Sequence, residues 1–301
     1  MILTYGVTEA DSGKKVYTIL RRELWVSVAL TRRLKQVQAI FLNGQPVFTD
    51  RIVSAGDTVT VDIAAAEPPC DNIPEAGEPH ILYEDAGLIA VSKPSGILTH
   101  PSRARYTGTL SNHVAGYLLE TTGSGCCHAV NRLDRDTSGI VLFAKNSYMK
   151  ARASEALATA DAEKEYLALI CGTLEPSTGT LDMPIKRRAE GEMLRIAAPD
   201  GQRAVTNYET IGTGLVKARP VSILRLRLET GRTHQIRVHL HAAGHPVLGD
   251  TLYCTEESRL VSESLGIASQ ALHARRLSFT EPVSGIRLTL LAPAPKEIFK
   301  Y

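Results

Sequence analysis

Apolar positions recur at helical spacing in KKVYTILRREL (14–24) and again in VALTRRLKQ (28–36), so two short helices are expected near the start of the chain. The next segment, AIFLNGQPVFTDRIVSAGDTVTVDI (39–63), changes to short β-type runs. Asn43-Gly44 falls between two of them as a tight turn, and Ala55-Gly56-Asp57 marks a second turn before TVTVDI. Residues 64–79, AAAEPPCDNIPEAGEP, lose the apolar period and are rich in Pro, Ala and acids. This break divides the chain into a small unit (1–66), a linker (67–79) and a large unit (80–301), with few contacts expected to cross the linker.

In the large unit, HILYEDAGLIAVSK (80–93) gives two strands around an Asp-Ala-Gly turn, and Lys93-Pro94-Ser95-Gly96 sets a loop. SNHVAGYLLE (111–120) and SYMKARASEALATADA (147–162) suit helices, while GIVLFAKN (139–146) and KEYLALICG (164–172) suit core strands. VSILRLRLET (221–230) alternates Leu224, Leu226 and Leu228 with Arg225, Arg227 and Glu229, the pattern of a half-buried strand. A helix is expected from Thr233, because Gly244 and Pro246 form a stop signal. Helices and strands mix without a steady βαβ rhythm. The fold class is therefore α+β, a central, largely antiparallel mixed sheet flanked by helices, plus the small α/β unit.

Composition narrows the class. The 301 residues are 44% apolar and 22% charged, an ordinary globular balance. No run of eighteen apolar residues predicts a membrane helix, and MILTYGVTEADSGKK lacks the order of a signal peptide. The five cysteines are an odd number without a CxxC pair, which argues against both a disulfide framework and a cysteine zinc site. A reduced, cytoplasmic protein is expected. A net charge of +2 neither demands nor excludes nucleic acid. The local distribution is less even: Lys14, Lys15, Arg21, Arg22, Arg32, Arg33 and Lys35 meet a single acid, Glu23. Taken alone, such a stripe is a solvated helix face.

Two stretches could carry chemistry. On the helix after Thr233, His234, Arg237, Val238 and His241 share a stripe, with His239 elsewhere. His234, His239, His241 and His245 invite a metal-dependent hydrolase reading, but helical spacing does not gather three of them and no HExxH is present. A guanidinium held on a helix at Arg237 could instead grip a carboxylate with two hydrogen bonds. In VNRLDRDTSG (130–139), four charges fall within five residues just before a core strand. By composition this is a surface loop with local Arg-Asp pairs worth about 0–1 kcal/mol. No nucleophile elbow, phosphate-binding loop or dinucleotide fingerprint occurs.

Family resemblance takes these stretches further. Residues Gly13 to Ile63, with the helical pair, the basic stripe, IFLNGQPV and SAGDTVTV, resemble the small RNA-binding domain first described in ribosomal small-subunit protein four. That resemblance implies an RNA-binding accessory domain with Arg32, Arg33 and Lys35 as phosphate contacts. From Ile81 onward the chain resembles the RluA-type pseudouridine synthases. NRLDRDTSG is similar to their H-R-L-D-x-x-T-S-G loop, with Asn131 in place of the usual His. VSKPSGILTHPS, KEYLALICG, TGRTHQIRVHLHAAGHPVLGDTLY and ALHARRLSFTEP resemble the family's other phrases in the same order.

The resemblance implies isomerisation of uridine to pseudouridine in structured RNA, most of all large-subunit ribosomal RNA, with transfer RNA as the alternative. It implies a monomer needing neither cofactor nor metal. Asp134 corresponds to the nucleophile, Tyr166 to the tyrosine that packs on the target base, and Arg237 to the arginine paired with the nucleophile. Arg132 corresponds to the arginine that helps displace the base, and Arg232, His234 and Gln235 are further expected RNA contacts. The physics is consistent with these roles. A base inside folded RNA must be flipped out at a cost of a few kcal/mol, basic residues hold the phosphates, and an arginine keeps a neighbouring carboxylate ionised. Attack at C1′ and attack at C6 both remain open. A rival of another class is a non-catalytic RNA-binding or ribosome-assembly protein on the same fold.

Overall fold

The computed structural model describes residues 1–102, 106–296 and 298. The small unit runs β1 (Ile2–Gly6), α1 (Val16–Arg22), α2 (Val28–Gln36), β2 (Ile40–Leu42), β3 (Gln45–Pro46) and β4 (Thr58–Asp62). Its antiparallel sheet has the order β1-β4-β2-β3. Val16, Ile19 and Leu20 of α1 and Leu30 and Leu34 of α2 are buried, so the apolar period seen in the sequence is the core face. Asn43 and Gly44 both take positive φ, 51° and 77°, the left-handed pair that a two-residue hairpin turn needs.

The large unit begins with β5 (His80–Glu84), β6 (Leu88–Lys93), α3 (Leu110–Thr122), β7 (His128–Ala129), β8 (Ser138–Ala144), α4 (Ser147–Ala158) and β9 (Glu163–Cys171). It continues with β10 (Thr178–Asp182), a hairpin of β11 (Ile185–Arg187) and β12 (Arg195–Ala197), then β13 (Val205–Val216) and β14 (Arg219–Leu228). It closes with α5 (Gln235–Ala242), α6 (Glu256–Leu265), β15 (Leu272–Thr280) and β16 (Arg287–Leu291). One ten-stranded sheet has the order β10-β13-β14-β9-β15-β8-β6-β5, with β16 on β15 and β7 on β8. Among the described residues only β15 and β8 pair in parallel; the sheet is mixed and largely antiparallel, as expected. That parallel contact needs Gly139. A Cβ there would lie 2.2 Å from the Ala274 carbonyl oxygen, and its φ of 113° disfavours any side chain.

The expected linker is a strap bound to the large unit. Glu67 accepts from the Ser147 amide and hydroxyl at the start of α4. Glu75 accepts the Gly108 amide at 2.8 Å, and its backbone packs so closely on α3 that a Cβ at Gly116 would lie 2.0 Å from the Glu75 carbonyl oxygen. Cys70 is disulfide-bonded to Cys126, 56 residues further on. This corrects the reading from cysteine count and spacing: the partners are far apart in sequence and meet only because the strap folds back.

The small unit is also not isolated. Its buried side chains and those of β6, β8 and α4, including Leu88, Leu142 and Tyr148, form one continuous apolar cluster. The Tyr148 hydroxyl donates to the Leu24 carbonyl at 3.0 Å, and the Arg152 guanidinium lies 4.6 Å from the Trp25 ring centroid. The expectation that few contacts cross between the units is overturned. Composition marked a chain break, but helix α4 presents an apolar face that the small unit covers.

Candidate active site

Two loops lock together to present the charged stretch. Lys93, at the end of β6, is fully buried. Its ammonium donates to the carbonyls of Pro94 (2.9 Å), Ile97 (2.8 Å) and Arg135 (2.7 Å). Burial pushes Lys93 down to about 8, against the pull of Asp136 and Asp134. Ser95 Oγ donates to the Asp136 carbonyl, and Thr99 Oγ1 bridges the Leu133 carbonyl and amide. Thr137 Oγ1 donates to Gln270 Oε1 at 3.0 Å. Asn131, in the position where the family usually has His, accepts the Leu142 amide at 2.7 Å and donates to the Ile140 carbonyl, so it ties the loop to β8. KPSGILT is thus the scaffold on which NRLDRDTSG is mounted, and Asp134 is placed by backbone contacts on both sides.

Arg237 reaches Asp134 from α5: Nη1 to Oδ2 is 2.8 Å. The rest of the guanidinium is taken by Asp250, Nε to Oδ2 at 2.6 Å and Nη2 to Oδ1 at 2.9 Å. Asp250 is itself fixed by the amides of Leu252 and Tyr253. Burial opposes charge on both Arg237 and Asp250, yet their contact outweighs it: Arg237 is raised and Asp250 lowered. An isolated ion at this depth would cost several kcal/mol, so the pair keeps the site charged. The expected bidentate grip on a carboxylate is present, but on Asp250, with Asp134 taking the third nitrogen.

A second chain of contacts orients His234, which caps α5 in a left-handed conformation (φ 57°). The Tyr253 hydroxyl accepts the Arg195 amide at 2.8 Å and hydrogen-bonds with His234 Nδ1 at 2.9 Å. His234 Nε2 faces Asp134, 3.8 Å from Oδ2. Burial lowers the His234 pKa, in keeping with a neutral ring. The Arg237 guanidinium lies over the Tyr253 ring, 4.9 Å from its centroid. Tyr166 stands on β9 between Leu226 of β14 and Ala274 of β15. Burial, with Asp134 adding to it, pushes its hydroxyl up to about 12.

Asp134, Tyr166, Arg237, His234, Arg132 and Arg232 line one cleft, which opens into a wider groove carrying Lys164, Arg203, Arg227 and Arg276. Arg132 is exposed, with no hydrogen-bonding partner among the described residues. Arg232 is exposed and donates to the Arg203 carbonyl. Gln235 differs from expectation. It is buried, with its amide donating to Val205 and Thr206 and accepting from Thr230 and the Arg232 amide, so it builds the turn rather than facing solvent. The histidines do not assemble: His239 contacts Thr206 and the Met183 carbonyl, and His245 contacts the Cys171 carbonyl. The sequence pattern gives Asp250, Tyr253 and Lys93 no site role, although all three stand inside VLGDTLY and VSKPSG.

Residues 87–242 match the model of the RNA pseudouridylate synthase family. The chain belongs to this family. It is an isomerase acting on RNA. The RNA pseudouridine synthase YhcT of Bacillus subtilis is 36% identical over 293 residues, covering 97% of this chain and 93% of that one. Ribosomal large subunit pseudouridine synthase D of Xanthomonas campestris is 32% identical over 301 residues, covering 97% and 89%. Human RNA pseudouridylate synthase domain containing 1 has a similar structure, with a TM-score of 0.58 at 26% identity over 73% of this chain and 86% of that one. The synthase fold so identified agrees with the α+β mixed sheet expected from the sequence. Among the described residues, no helix is long and apolar enough to cross a membrane.

Proposed function

We propose that this synthase acts on large-subunit ribosomal RNA with Asp134 as its nucleophile. The observation that carries the mechanistic part is the Arg237–Asp134 contact of 2.8 Å, made by a guanidinium whose other face is locked by Asp250. A carboxylate held in this way, at the mouth of a cleft beside Tyr166, is an oriented anion that can attack carbon. In the overall reaction the C1′–N1 bond breaks, a C1′–C5 bond forms, N1 gains a proton and C5 loses one. Electrons balance without a redox partner. Arg132, exposed at the cleft mouth, fits a contact to the displaced strand, and Arg232 and the groove arginines fit phosphates.

The ribosomal assignment is supported by the several relatives named ribosomal large subunit pseudouridine synthase D. The small unit, read as an RNA-binding domain, presents Arg32 and Lys35 to solvent. Arg33 instead turns toward the large unit, with Nη2 3.2 Å from Ser147 Oγ, and is left out of the phosphate set. The enzyme is read as a cytoplasmic monomer. The test is to map pseudouridine across all cellular RNA in strains with and without the gene. Loss of one or a few large-subunit ribosomal sites is expected; loss confined to transfer RNA would overturn the substrate assignment.

A further inference from the structure

The strap brings four metal-binding side chains together at a pocket lined by Cys70 and His128, distinct from the cleft that Asp134 lines. Cys70 and Cys126 are bonded to one another, and His128 Nε2 lies 3.9 Å from Cys70 Sγ and 3.5 Å from Cys126 Sγ. The three ligand atoms all fall within 4.8 Å of one another. Glu67 Oε1 stands beside them, 3.0 Å from His128 Nε2 and 3.8 Å from Cys126 Sγ. Two short arms supply the set: Glu67-x-x-Cys70 from the strap, and Cys126-x-His128 from the segment that leads from α3 into the first residue of β7. A search for CxxC spacing misses it, because each arm contributes a single cysteine.

We propose that the reduced chain binds one zinc ion on Cys70, Cys126 and His128, with Glu67 completing the shell directly or through a water. The distances carry the argument. With Zn–S near ~2.3 Å and Zn–N near ~2.0 Å, a tetrahedral ion separates a sulfur from a nitrogen by about 3.5 Å and two sulfurs by about 3.8 Å. Both S···N distances are already at that spacing within a few tenths of an ångström, and only the two sulfurs must part. Two thiolates and an imidazole form a donor set that favours zinc over magnesium or calcium.

Disulfides persist in oxidising surroundings; in a reducing compartment the same two cysteines are thiols. A phosphine gives two electrons and becomes its oxide, while water supplies the oxygen and the two protons, so the disulfide becomes two thiols; a pair of small thiols does the same and leaves as their own disulfide. Zinc then displaces both thiol protons, and His128 offers the lone pair of Nε2 with its proton on Nδ1. The ion would hold the strap to β7. The same strap residue, Glu67, already holds the first turn of α4, so the metal would tie together the strap and the helix on which the small unit packs.

The test uses the full-length protein, reduced with a phosphine, stripped with a chelator and checked by circular dichroism to be folded. Zinc chloride is titrated in competition with a chromophoric chelator, and cobalt(II) chloride serves as the spectroscopic probe. Saturation at one zinc per chain is expected, with tetrahedral cobalt bands, thiolate-to-metal charge transfer and protection of two thiols from a thiol reagent. Cys70→Ser and His128→Ala should each weaken zinc by more than the roughly 10–100-fold that loss of a supporting partner costs. Zinc should raise Tm of the wild type and not of Cys70→Ser. Three results would each overturn the proposal: no saturable zinc in the reduced, folded chain; equal affinity in the variants; or a Cys70–Cys126 bond that resists reduction in the folded protein, which would make the site a structural disulfide only. None of these bears on Asp134 or on the RNA substrate.

Discussion

Asp250 grips Arg237 with both carboxylate oxygens, at 2.6 and 2.9 Å, and leaves only Nη1 free to meet Asp134. Arg237 is therefore positioned before RNA arrives. The arrangement explains why an arginine stands there: a lysine ammonium is a point charge and cannot present separate nitrogens in a fixed plane to two carboxylates.

Asp250→Asn should keep a side chain of the same shape while weakening the fork that aims Arg237. Misplacement of a catalytic group by about 1 Å can cost on the order of 100-fold in rate. The expected outcome is a drop of about that size in the single-turnover rate at saturating enzyme, with RNA affinity changed far less. A rate within threefold of wild type would show that Asp134 needs no such alignment.

Lys93→Met removes the buried ammonium and leaves the carbonyls of Pro94, Ile97 and Arg135 without their donor. Each orphaned buried group costs about 1–3 kcal/mol, so a loss of at least about 3 kcal/mol is expected in urea unfolding. The opposite charge-removing change, raising pH, acts in another sense. Because the folded pKa of Lys93, about 8, lies below the unfolded value, the unfolded chain binds more protons above pH 8, and this group's contribution to stability rises from there toward the unfolded pKa.

The Tyr166 hydroxyl is held protonated, with a pKa of about 12. Single-turnover rates should show no alkaline break from Tyr166 at or below pH 10. Since its folded pKa lies above the unfolded one, the stability it contributes is complete below the unfolded value and is lost as pH rises toward 12. Tyr166→Phe tests the hydroxyl: if it serves C5 deprotonation, product release of the C5 proton should slow while affinity holds. Unaltered kinetics would leave the ring with a packing role.

The small unit cannot be tested by deletion, because removing it would uncover the apolar face of α4 and β8. The surface charges can be changed instead. Each phosphate contact contributes about −0.9 to the slope of log K against log salt on a duplex. Arg32→Gln with Lys35→Gln should therefore flatten that slope by up to about 1.8 while leaving Tm unchanged. An unaltered slope would return the stripe to the role of a solvated helix face.

Much of this was legible beforehand for a physical reason. Strands such as GIVLFAKN and helices such as VALTRRLKQ carry their burial pattern locally, and motif phrases kept Asp134, Tyr166 and Arg237 in view. What was missed depends on chain segments meeting across distance. Asp250 shows its role only once α5 and the turn after it face each other. Gln235 looks like an exposed polar residue until β13 supplies Val205 and Thr206 as partners. Residues 67–79 have a linker's composition, yet Glu67, Cys70 and Glu75 each find a partner on the large unit.

The central claim is that Asp134 is the attacking group. Its most direct test is release of the C5 proton from tritiated uridine in ribosomal RNA by Asp134→Asn under single-turnover conditions, alongside measured RNA binding. Asparagine keeps the shape but not the anion. The account predicts unchanged binding within a fewfold and no detectable release or pseudouridine. Turnover near the wild-type rate would contradict it.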